Sequence, residues 1–270
     1  MNLLSALLRS PVAEDDKYSR GVVGFVTGSK SYPGAAILGV TAAMRTGVGM
    51  VRWIGPEAVG RMLLEVRPEV VLQDGRAQAW VVGSGVPADL SEEQAVAVQS
   101  HLVEAKHAVI DAGALELVDF KNLRSKAILT PHAGELSRLL TRLGENWPRE
   151  VVEKSPIEAA KLAALKTGQV VLLKGNVTTI ADPAGNICQT PAASPALATA
   201  GSGDVLAGIL GALIASNVAN LESGEVTLAQ VAMAGALLHA RAGAEAAKAG
   251  PVAALDIAEA LRSVVGEILA

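Results

Sequence analysis

Residues 198–209 read Ala-Thr-Ala-Gly-Ser-Gly-Asp-Val-Leu-Ala-Gly-Ile, a glycine-rich turn followed at once by an apolar helical pattern. Gly201 and Gly203 let the backbone turn tightly, and the helix that starts near Asp204 adds the positive end of its dipole, so the stretch predicts an anion site. A carboxylate would repel a phosphate there. Asp204 makes sense if it takes a proton from a substrate hydroxyl while the glycine N–H groups hold a phosphoryl group. These residues alone leave a second interpretation open, in which Asp204 only caps the helix.

Short aliphatic runs alternate with helical patterns before this turn. The runs that predict buried strands are 22–27, 50–54, 79–82, 108–111, 127–130 and 170–173. The patterns that predict helices are 34–46, 56–66, 91–105, 134–143 and 156–167. Ser91 and Glu93 form an N-terminal cap signal for the third of these helices, and Gly168 is a stop signal for the last. Alternating strands and helices predict a mostly parallel sheet with helices on both faces.

The pattern changes after the last of these strands. Residues 176–181 and 186–190 flank Asp182-Pro-Ala-Gly185, in which proline presets φ and glycine supplies a positive φ, so a β-hairpin is predicted beside the parallel sheet. The remaining helical patterns are 204–216, 227–248 and 253–269. Since no linker-like composition divides the chain, we expect one α/β domain over residues 1–270, with 1–17 as a loosely ordered N-terminal segment.

The composition predicts an aliphatic core and argues against two classes of partner. Hydrophobic residues make up 50% of the chain and aromatic residues 3%, which suits a parallel sheet covered by helices. The net charge is −4 without a Lys/Arg cluster, which argues against a nucleic-acid groove. The longest apolar stretch, 205–215, is too short to span a bilayer, and residues 1–8 lack the basic leader of a signal peptide. Because Cys188 is the only cysteine, a reducing compartment is favoured, and we expect a cytoplasmic protein.

A second group of candidate binding residues follows the sixth predicted strand. Lys174 and Gly175 stand at its carboxyl end, the edge at which open α/β sheets bind ligands. Lys174 would offset phosphate charge there, with Thr178 or the backbone of Asn176 and Val177 lining a nucleotide. The alternative, a strand-end lysine that reaches solvent, is the commoner case for an isolated lysine.

Three further segments lie where predicted strands and helices meet. Ile128-Leu-Thr-Pro-His-Ala-Gly-Glu135 leaves a strand and enters a helix, although His132 could be structural and Glu135 could simply favour the helix N-terminus. Tyr32-Pro-Gly-Ala35 opens a helix, and Val81-Val-Gly-Ser-Gly85 ends a strand with two glycines. Their shared location at strand ends predicts a single crevice.

Several common binding motifs are missing from the sequence. There is no G-x-x-x-x-G-K-[ST] loop, and Gly47-x-Gly49 precedes a strand instead of opening a helix as a Rossmann fingerprint would. The four histidines and one cysteine show no zinc spacing. We therefore interpret His101, His107 and His239 as ordinary helix or strand-edge residues, and no metal ligand is predicted.

Together these segments resemble the ADP- or ATP-dependent NAD(P)H-hydrate dehydratases, a branch of the ribokinase-like superfamily. The resemblance extends from about Tyr18 to the C-terminal helix. It rests on Tyr32-x-Gly-Ala35, Arg45-x-Gly-x-Gly49, Asp111-Ala-x-x-Leu115, Leu129-Thr-Pro-His-x-Gly-Glu135, Leu173-Lys-Gly175 and the 198–208 turn. It implies a three-layer α/β/α ribokinase-like fold. One departure is Gly83-Ser-Gly-Val-Pro87, which lacks the last glycine of the family's segment and bears on the substrate contacts near Gly85.

The resemblance also implies an activity and a set of site residues. Such an enzyme is a hydro-lyase that repairs hydrated NADH and NADPH by phosphorylating the ring hydroxyl and then expelling phosphate. Asp204 would be the base and, with Ala35, Gly85 and His132, would contact the hydrated dinucleotide. The adenine nucleotide would be held by Lys174, Gly175, Asn176, Val177, Thr178 and Gly203. Glu135 would help order Mg²⁺ through water, ADP or ATP would be the co-substrate, and the protein would be a homo-oligomer, with a tetramer favoured.

Two alternatives compete with this expectation. A kinase of a small alcohol, such as a vitamin precursor, would use the same fold and base but stop at the phosphate ester. A nucleotide-sensing protein without activity would bind at the same crevice. The Thr-Pro-His-x-Gly-Glu run disfavours the kinase, and the presence of both Lys174 and Asp204 disfavours a pure binder, which has no use for an acid beside a phosphate.

Overall fold

A single β-sheet runs through residues 3–88 and 93–270, the parts of the chain that the computed structural model describes. Within them the strands pair in the order β2-β1-β3-β4-β5-β6-β7-β8. The strands are β1 (Val22–Val26), β2 (Met50–Trp53), β3 (Ala79–Val82), β4 (His107–Ile110), β5 (Lys126–Leu129), β6 (Val170–Leu173), β7 (Thr179–Ala181) and β8 (Ile187–Gln189). All pairs from β2 to β6 are parallel, whereas the β6–β7 pair and the β7–β8 pair are antiparallel.

Helices cover both faces of this sheet. They are α1 (Leu3–Leu7), α2 (Pro33–Thr46), α3 (Glu57–Val66), α4 (Glu93–Glu104), α5 (Ala114–Leu117), α6 (Ala133–Arg142), α7 (Arg149–Lys154), α8 (Pro156–Thr167), α9 (Ser202–Ser216), α10 (Val218–Ser223), α11 (Leu228–Ala246) and α12 (Ala254–Leu269). None of the helices in the described residues is long and apolar enough to cross a membrane.

The sheet separates two hydrophobic cores because its side chains alternate between faces. In β3, Ala79 and Val81 pack with α2, α9, α11 and α12, whereas Trp80 and Val82 pack with α4, α5, α6 and α8. All four of these side chains are buried, as expected for a parallel strand covered on both faces.

Helix α9 is buried along most of its length. Twelve of its fifteen residues are buried, since it lies between the sheet and the helices α2 and α11. A Cβ on Gly208 would lie 2.1 Å from the Gly39 carbonyl oxygen in α2. The two helices can therefore cross this closely only because position 208 has no side chain.

The predicted fold class is confirmed: the structure has three α/β/α layers, a mostly parallel sheet and a late hairpin, β7–β8. The hairpin strands are shorter than predicted, and its turn has Gly185 at φ 90°. Helix α9 begins at Ser202, two residues before the predicted start. The short helices α5, α7 and α10 were not predicted, because none is long enough to show a helical period. Ser91, the predicted cap, lies outside the described residues.

Candidate functional site

The candidate site lies at the carboxyl ends of four neighbouring strands. Because β3, β4, β5 and β6 are adjacent and parallel, the segments that follow them lie side by side at one edge of the sheet. The segments after β3 and β4 pack closely: a Cβ on Gly83 would lie 2.0 Å from the Asp111 carbonyl oxygen, and one on Gly113 would lie 2.0 Å from that of Val86. The two segments therefore meet backbone to backbone, and the single crevice predicted from the sequence is instead divided into two cavities.

Two cavities open on either side of the turn that starts α9. The Lys174 cavity, of about 420 Å³, is lined by residues that include His132, Lys174, Gly175, Asn176, Thr178, Ser202, Gly203 and His239. The Asp204 cavity, of about 560 Å³, is lined by residues that include Tyr32, Ala35, Gly85, Ala112, Gly201 and Asp204. Residues 201–204 thus form the boundary between two spaces, each large enough for a ligand.

The first turn of α9 leaves the Asp204 carboxylate free for chemistry. Gly201 is the N-cap at φ 88°, and no side chain caps this helix. Among the hydrogen bonds of the described residues, none involves the Asp204 carboxylate. The interpretation of Asp204 as a simple helix cap is therefore not what the structure shows.

The surroundings of Asp204 favour its protonated form. Burial raises the pKa of Asp204 to about 7, the negative charges of Asp111 and Glu135 add to the rise, and the Lys174 ammonium opposes it. A general base is most effective when its pKa lies near the working pH.

Lys174 is held by a buried carboxylate and does not reach into solvent. Its Nζ lies 2.9 Å from Asp111 Oδ1 and 3.6 Å from Glu135 Oε2, and its side chain is only 21% exposed. Burial lowers the pKa of Lys174, but the charges of Asp111 and Glu135 outweigh that effect and raise it above its ordinary value. A Cβ on Gly203 would lie 3.4 Å from Nζ, so the ammonium faces the 201–204 turn, where the sequence predicted an anion site.

Asp111 is the centre of this network, and the sequence assigned it no role. Its carboxylate also accepts hydrogen bonds from Ser84 Oγ at 2.8 Å and Thr130 Oγ1 at 2.7 Å. Burial would raise the pKa of Asp111, but Lys174 and these hydroxyl donors hold it below its ordinary value. The sequence feature that could have identified Asp111 as a site residue was its position directly after β4, at the same edge of the sheet as the other candidates.

His132 is the N-cap of α6 and also lines the Lys174 cavity. Its Nδ1 accepts from the N–H groups of Gly134 and Glu135, and Glu135 Oε2 accepts from the His132 N–H, which makes a capping box. Burial lowers the pKa of His132, and Lys174 lowers it further, while Glu135 raises it. Since Nδ1 only accepts, Nε2 carries the hydrogen of the neutral ring.

The structure brings most of the predicted site residues together, in two groups. Ala35, Gly85 and Asp204 line the Asp204 cavity, whereas His132 lines the Lys174 cavity with the predicted nucleotide residues. Val177 lines neither cavity, so the structure does not bring it together with the other predicted nucleotide residues. Sequence reasoning treated His239 as an ordinary helix residue, but the structure places it in the Lys174 cavity against Ser202.

Comparisons with known proteins agree on one family. Residues 23–263 match a protein-family model described as NAD(P)H-hydrate dehydratase. A bifunctional NAD(P)H-hydrate repair enzyme of Mycobacterium tuberculosis (strain H37Rv) is 42% identical over 226 residues, which cover 80% of this chain and 44% of that enzyme. The chain spans about half the length of such bifunctional relatives or less.

A curated sequence and a crystal structure from Bacillus subtilis match over more of their length. Its ADP-dependent (S)-NAD(P)H-hydrate dehydratase is 36% identical over 211 residues, 73% of this chain and 74% of that enzyme. The crystal structure of an ADP/ATP-dependent NAD(P)H-hydrate dehydratase from B. subtilis, co-crystallized with ATP/Mg²⁺, matches with a TM-score of 0.84 and 28% identity. That match covers 98% of this chain and 96% of the crystallized one.

Proposed function

The chain belongs to the NAD(P)H-hydrate dehydratase family, and from this premise we propose that it uses ADP or ATP to dehydrate hydrated NADH and NADPH. The observation that carries the proposal is the position of Asp204. This half-buried carboxyl, whose pKa is raised to about 7, stands on the turn between the two cavities. A base at that boundary can reach a substrate in one cavity while a nucleotide occupies the other.

The Lys174 cavity suits the nucleotide. Lys174 is held protonated by Asp111 beside Gly203, and the N–H groups at the start of α9 carry the positive end of the helix dipole. Both features favour a phosphate at this end of the cavity. Gly175, Asn176 and Thr178, which line the same cavity, would hold the rest of the nucleotide.

The Asp204 cavity would hold the hydrated nicotinamide ring, with Ala35 and Gly85 in its wall. Asp204 would take the proton of the ring hydroxyl as that oxygen attacks the terminal phosphorus, whose bond to the bridging oxygen breaks. The products of this step are the ring phosphate ester and AMP or ADP. The C–O bond then breaks as the ring nitrogen donates its lone pair, phosphate leaves, and a proton is lost from the neighbouring ring carbon. His132 stands on the nucleotide side, where Nε2–H can donate to a group that extends between the cavities.

The carboxylates beside Lys174 fit a magnesium ion that arrives with the nucleotide. No group of three His, Cys, Asp or Glu side chains in the described residues could hold a metal by itself. Mg²⁺ commonly binds through one or two carboxylates, waters and substrate phosphates. Glu135, 3.6 Å from Lys174 Nζ, would hold such an ion through water, and the ion would offset phosphate charge.

The decisive assay combines two measurements on one reaction mixture. Hydrated NADH is incubated with ADP or with ATP, and both the return of the NADH absorbance and the release of inorganic phosphate are followed. Equal amounts of NADH and phosphate support the dehydratase. Phosphate retained on an organic product would instead show a kinase of an alcohol, and nucleotide binding without turnover would show a sensing protein. A cytoplasmic location remains a prediction from the sequence.

A further inference from the structure

A buried serine and histidine pair lies in the Lys174 cavity, and the proposed mechanism does not use it. Ser202 Oγ and His239 Nε2 are 3.1 Å apart, and the two residues are 6% and 7% exposed. Ser202 is the first residue of α9, and His239 belongs to α11, which packs against α9. Both residues line the cavity that would hold the nucleotide.

His239 is a neutral ring whose Nε2 contacts the Ser202 hydroxyl. Burial lowers the pKa of His239 to about 4, a main-chain hydrogen bond with Ser202 opposes that fall, and the Lys174 charge adds to it. The 3.1 Å contact between Ser202 Oγ and His239 Nε2 fits two arrangements, since the neutral ring carries its hydrogen on either nitrogen. When Nε2 carries the hydrogen, Nε2–H donates and Ser202 Oγ accepts.

In the arrangement with Nε2–H as the donor, the hydroxyl proton of Ser202 is left without an acceptor inside the protein. Among the hydrogen bonds of the described residues, Ser202 Oγ has no partner except His239. Ser202 directly precedes Gly203, which faces the Lys174 ammonium. A buried hydroxyl rarely stays unpaired, and a phosphate oxygen held by Lys174 would be the acceptor that completes it.

We propose that His239 carries its hydrogen on Nε2 and is a positioning residue that fixes the Ser202 hydroxyl, so that the hydroxyl proton is donated to a phosphate of the bound nucleotide. This inference rests on the proposed nucleotide site. It adds a side-chain donor to the backbone N–H groups of the turn, and it explains why a neutral histidine is buried beside an ammonium group. A protonated ring would be repelled by Lys174, whereas a neutral ring can donate to Ser202 without adding charge.

The test is a double-mutant cycle on ADP and ATP affinity, measured by calorimetry with MgCl₂ present. Ser202→Ala and His239→Leu should each weaken binding about threefold to tenfold, the range of a single hydrogen bond. The double variant should bind the nucleotides no more weakly than the single variant with the lower affinity, since the two residues act through one bond to phosphate. His239→Gln, whose amide nitrogen reaches about as far as Nε2, should retain most of the affinity.

Two controls separate this effect from general damage to the fold. His107→Leu removes another buried histidine, which lies at the amino end of β4 and lines neither cavity. It should leave affinity unchanged even if it lowers the melting temperature. Lys174→Ala should weaken binding whether or not His239 matters.

The outcomes distinguish the inference from its premise. Wild-type affinity in Ser202→Ala and His239→Leu, with weakened binding in Lys174→Ala, would overturn the role of His239 and leave the nucleotide site intact. Additive losses, or a failure of His239→Gln to retain affinity, would also overturn it. No binding of either nucleotide by the wild-type protein would refute the proposed function itself.

Discussion

At the scale of single residues, the chemistry depends on a carboxyl that the protein keeps from ionising easily. Asp204 is half-buried and is influenced by the charges of Asp111 and Glu135, and Lys174, the cation that opposes them, is already paired with Asp111. Shared in this way, the Lys174 charge offsets only part of the cost of ionising Asp204. The same arrangement that makes Asp204 a good base therefore costs stability when it is ionised.

Asp204→Asn is expected to lower turnover by about 10²–10⁴-fold, the usual contribution of a general base. Asparagine keeps the size of the side chain, so ADP affinity should stay close to that of the wild type. Phosphate release and calorimetry with ADP measure the two effects. Near-normal turnover in this variant would show that Asp204 is not the base.

The same variant should change the pH dependence of stability. The folded pKa of Asp204, about 7, lies above the value of about 3.9 for an unperturbed aspartate. The folded state therefore binds more protons between these pH values, and this group's contribution to stability is lost as the pH rises through about 7. Asp204→Asn should thus gain stability relative to the wild type at pH 8 more than at pH 4 in urea unfolding. An equal difference at both pH values would contradict the raised pKa.

Asp111→Asn should shift the pH–rate profile toward acid. The Asp111 charge raises the pKa of Asp204, and its loss also frees Lys174 to stabilise the ionised Asp204. Both effects lower the pKa of Asp204, so the acidic limb of kcat/KM, near pH 7 in the wild type, should move to lower pH. A limb that stays in place, or moves to higher pH, would refute the coupling.

Lys174→Ala should weaken ADP binding by about 10-fold to 100-fold, since a charge-assisted contact to phosphate contributes about 1.5–3 kcal/mol. Lys106→Ala is the matched control, because Lys106 forms an exposed ion pair with Glu222 away from both cavities. Calorimetry should show wild-type affinity for the control. Unchanged affinity in Lys174→Ala would mean that the ammonium does not meet the nucleotide.

At the scale of secondary-structure elements, the crossing of α2 and α9 sets the position of the catalytic turn. The Gly208 site has no room for a Cβ beside Gly39. Gly208→Ala should therefore force the helices apart and destabilise the protein by about 1–3 kcal/mol, as over-packed cores usually do. Turnover should fall as well, since α9 carries Asp204.

Gly266→Ala is the matched control for that prediction. Gly266 is an exposed residue of α12, and a Cβ there would have no neighbour within 4 Å. The change should stabilise the protein by roughly 0.5–1 kcal/mol through helix propensity. Urea unfolding of both variants gives the comparison, and equal effects would show that crowding at Gly208 is not decisive.

At the scale of the whole molecule, helix α12 is tied to the opposite end of the chain by charge as well as by packing. Glu259 accepts from Arg45 Nε at 2.8 Å and pairs with Arg67, which also donates to Thr41 Oγ1 at 3.0 Å. This network joins α12 to α2 and to the residue that follows α3. The substrate side of the site therefore depends on contacts between the first and last parts of the chain.

The amino-acid sequence by itself determined the layers and the edge at which the site forms. Alternating aliphatic runs and helical patterns were sufficient to predict a parallel sheet with helices on both faces, because each pattern records which residues of a single element are buried. The 201–204 turn and the place of Lys174 could also be predicted, because they depend on local residue types. Glycine allows a tight turn, and a lysine directly after a strand lies at the edge of the sheet. Element bounds were less certain, and α9 began two residues earlier than predicted.

Only the tertiary structure decided which of these residues meet and how they ionise. Lys174 and Asp111 are 63 residues apart in the sequence, and Ser202 and His239 are 37 apart. Their contacts depend on the order of β3, β4, β5 and β6 and on the packing of α11 against α9. The raised pKa of Asp204 has the same origin, because burial and the charges of distant residues exist only once the chain has folded. A sequence pattern records local periodicity and residue type, whereas proton affinity is a property of the assembled surroundings.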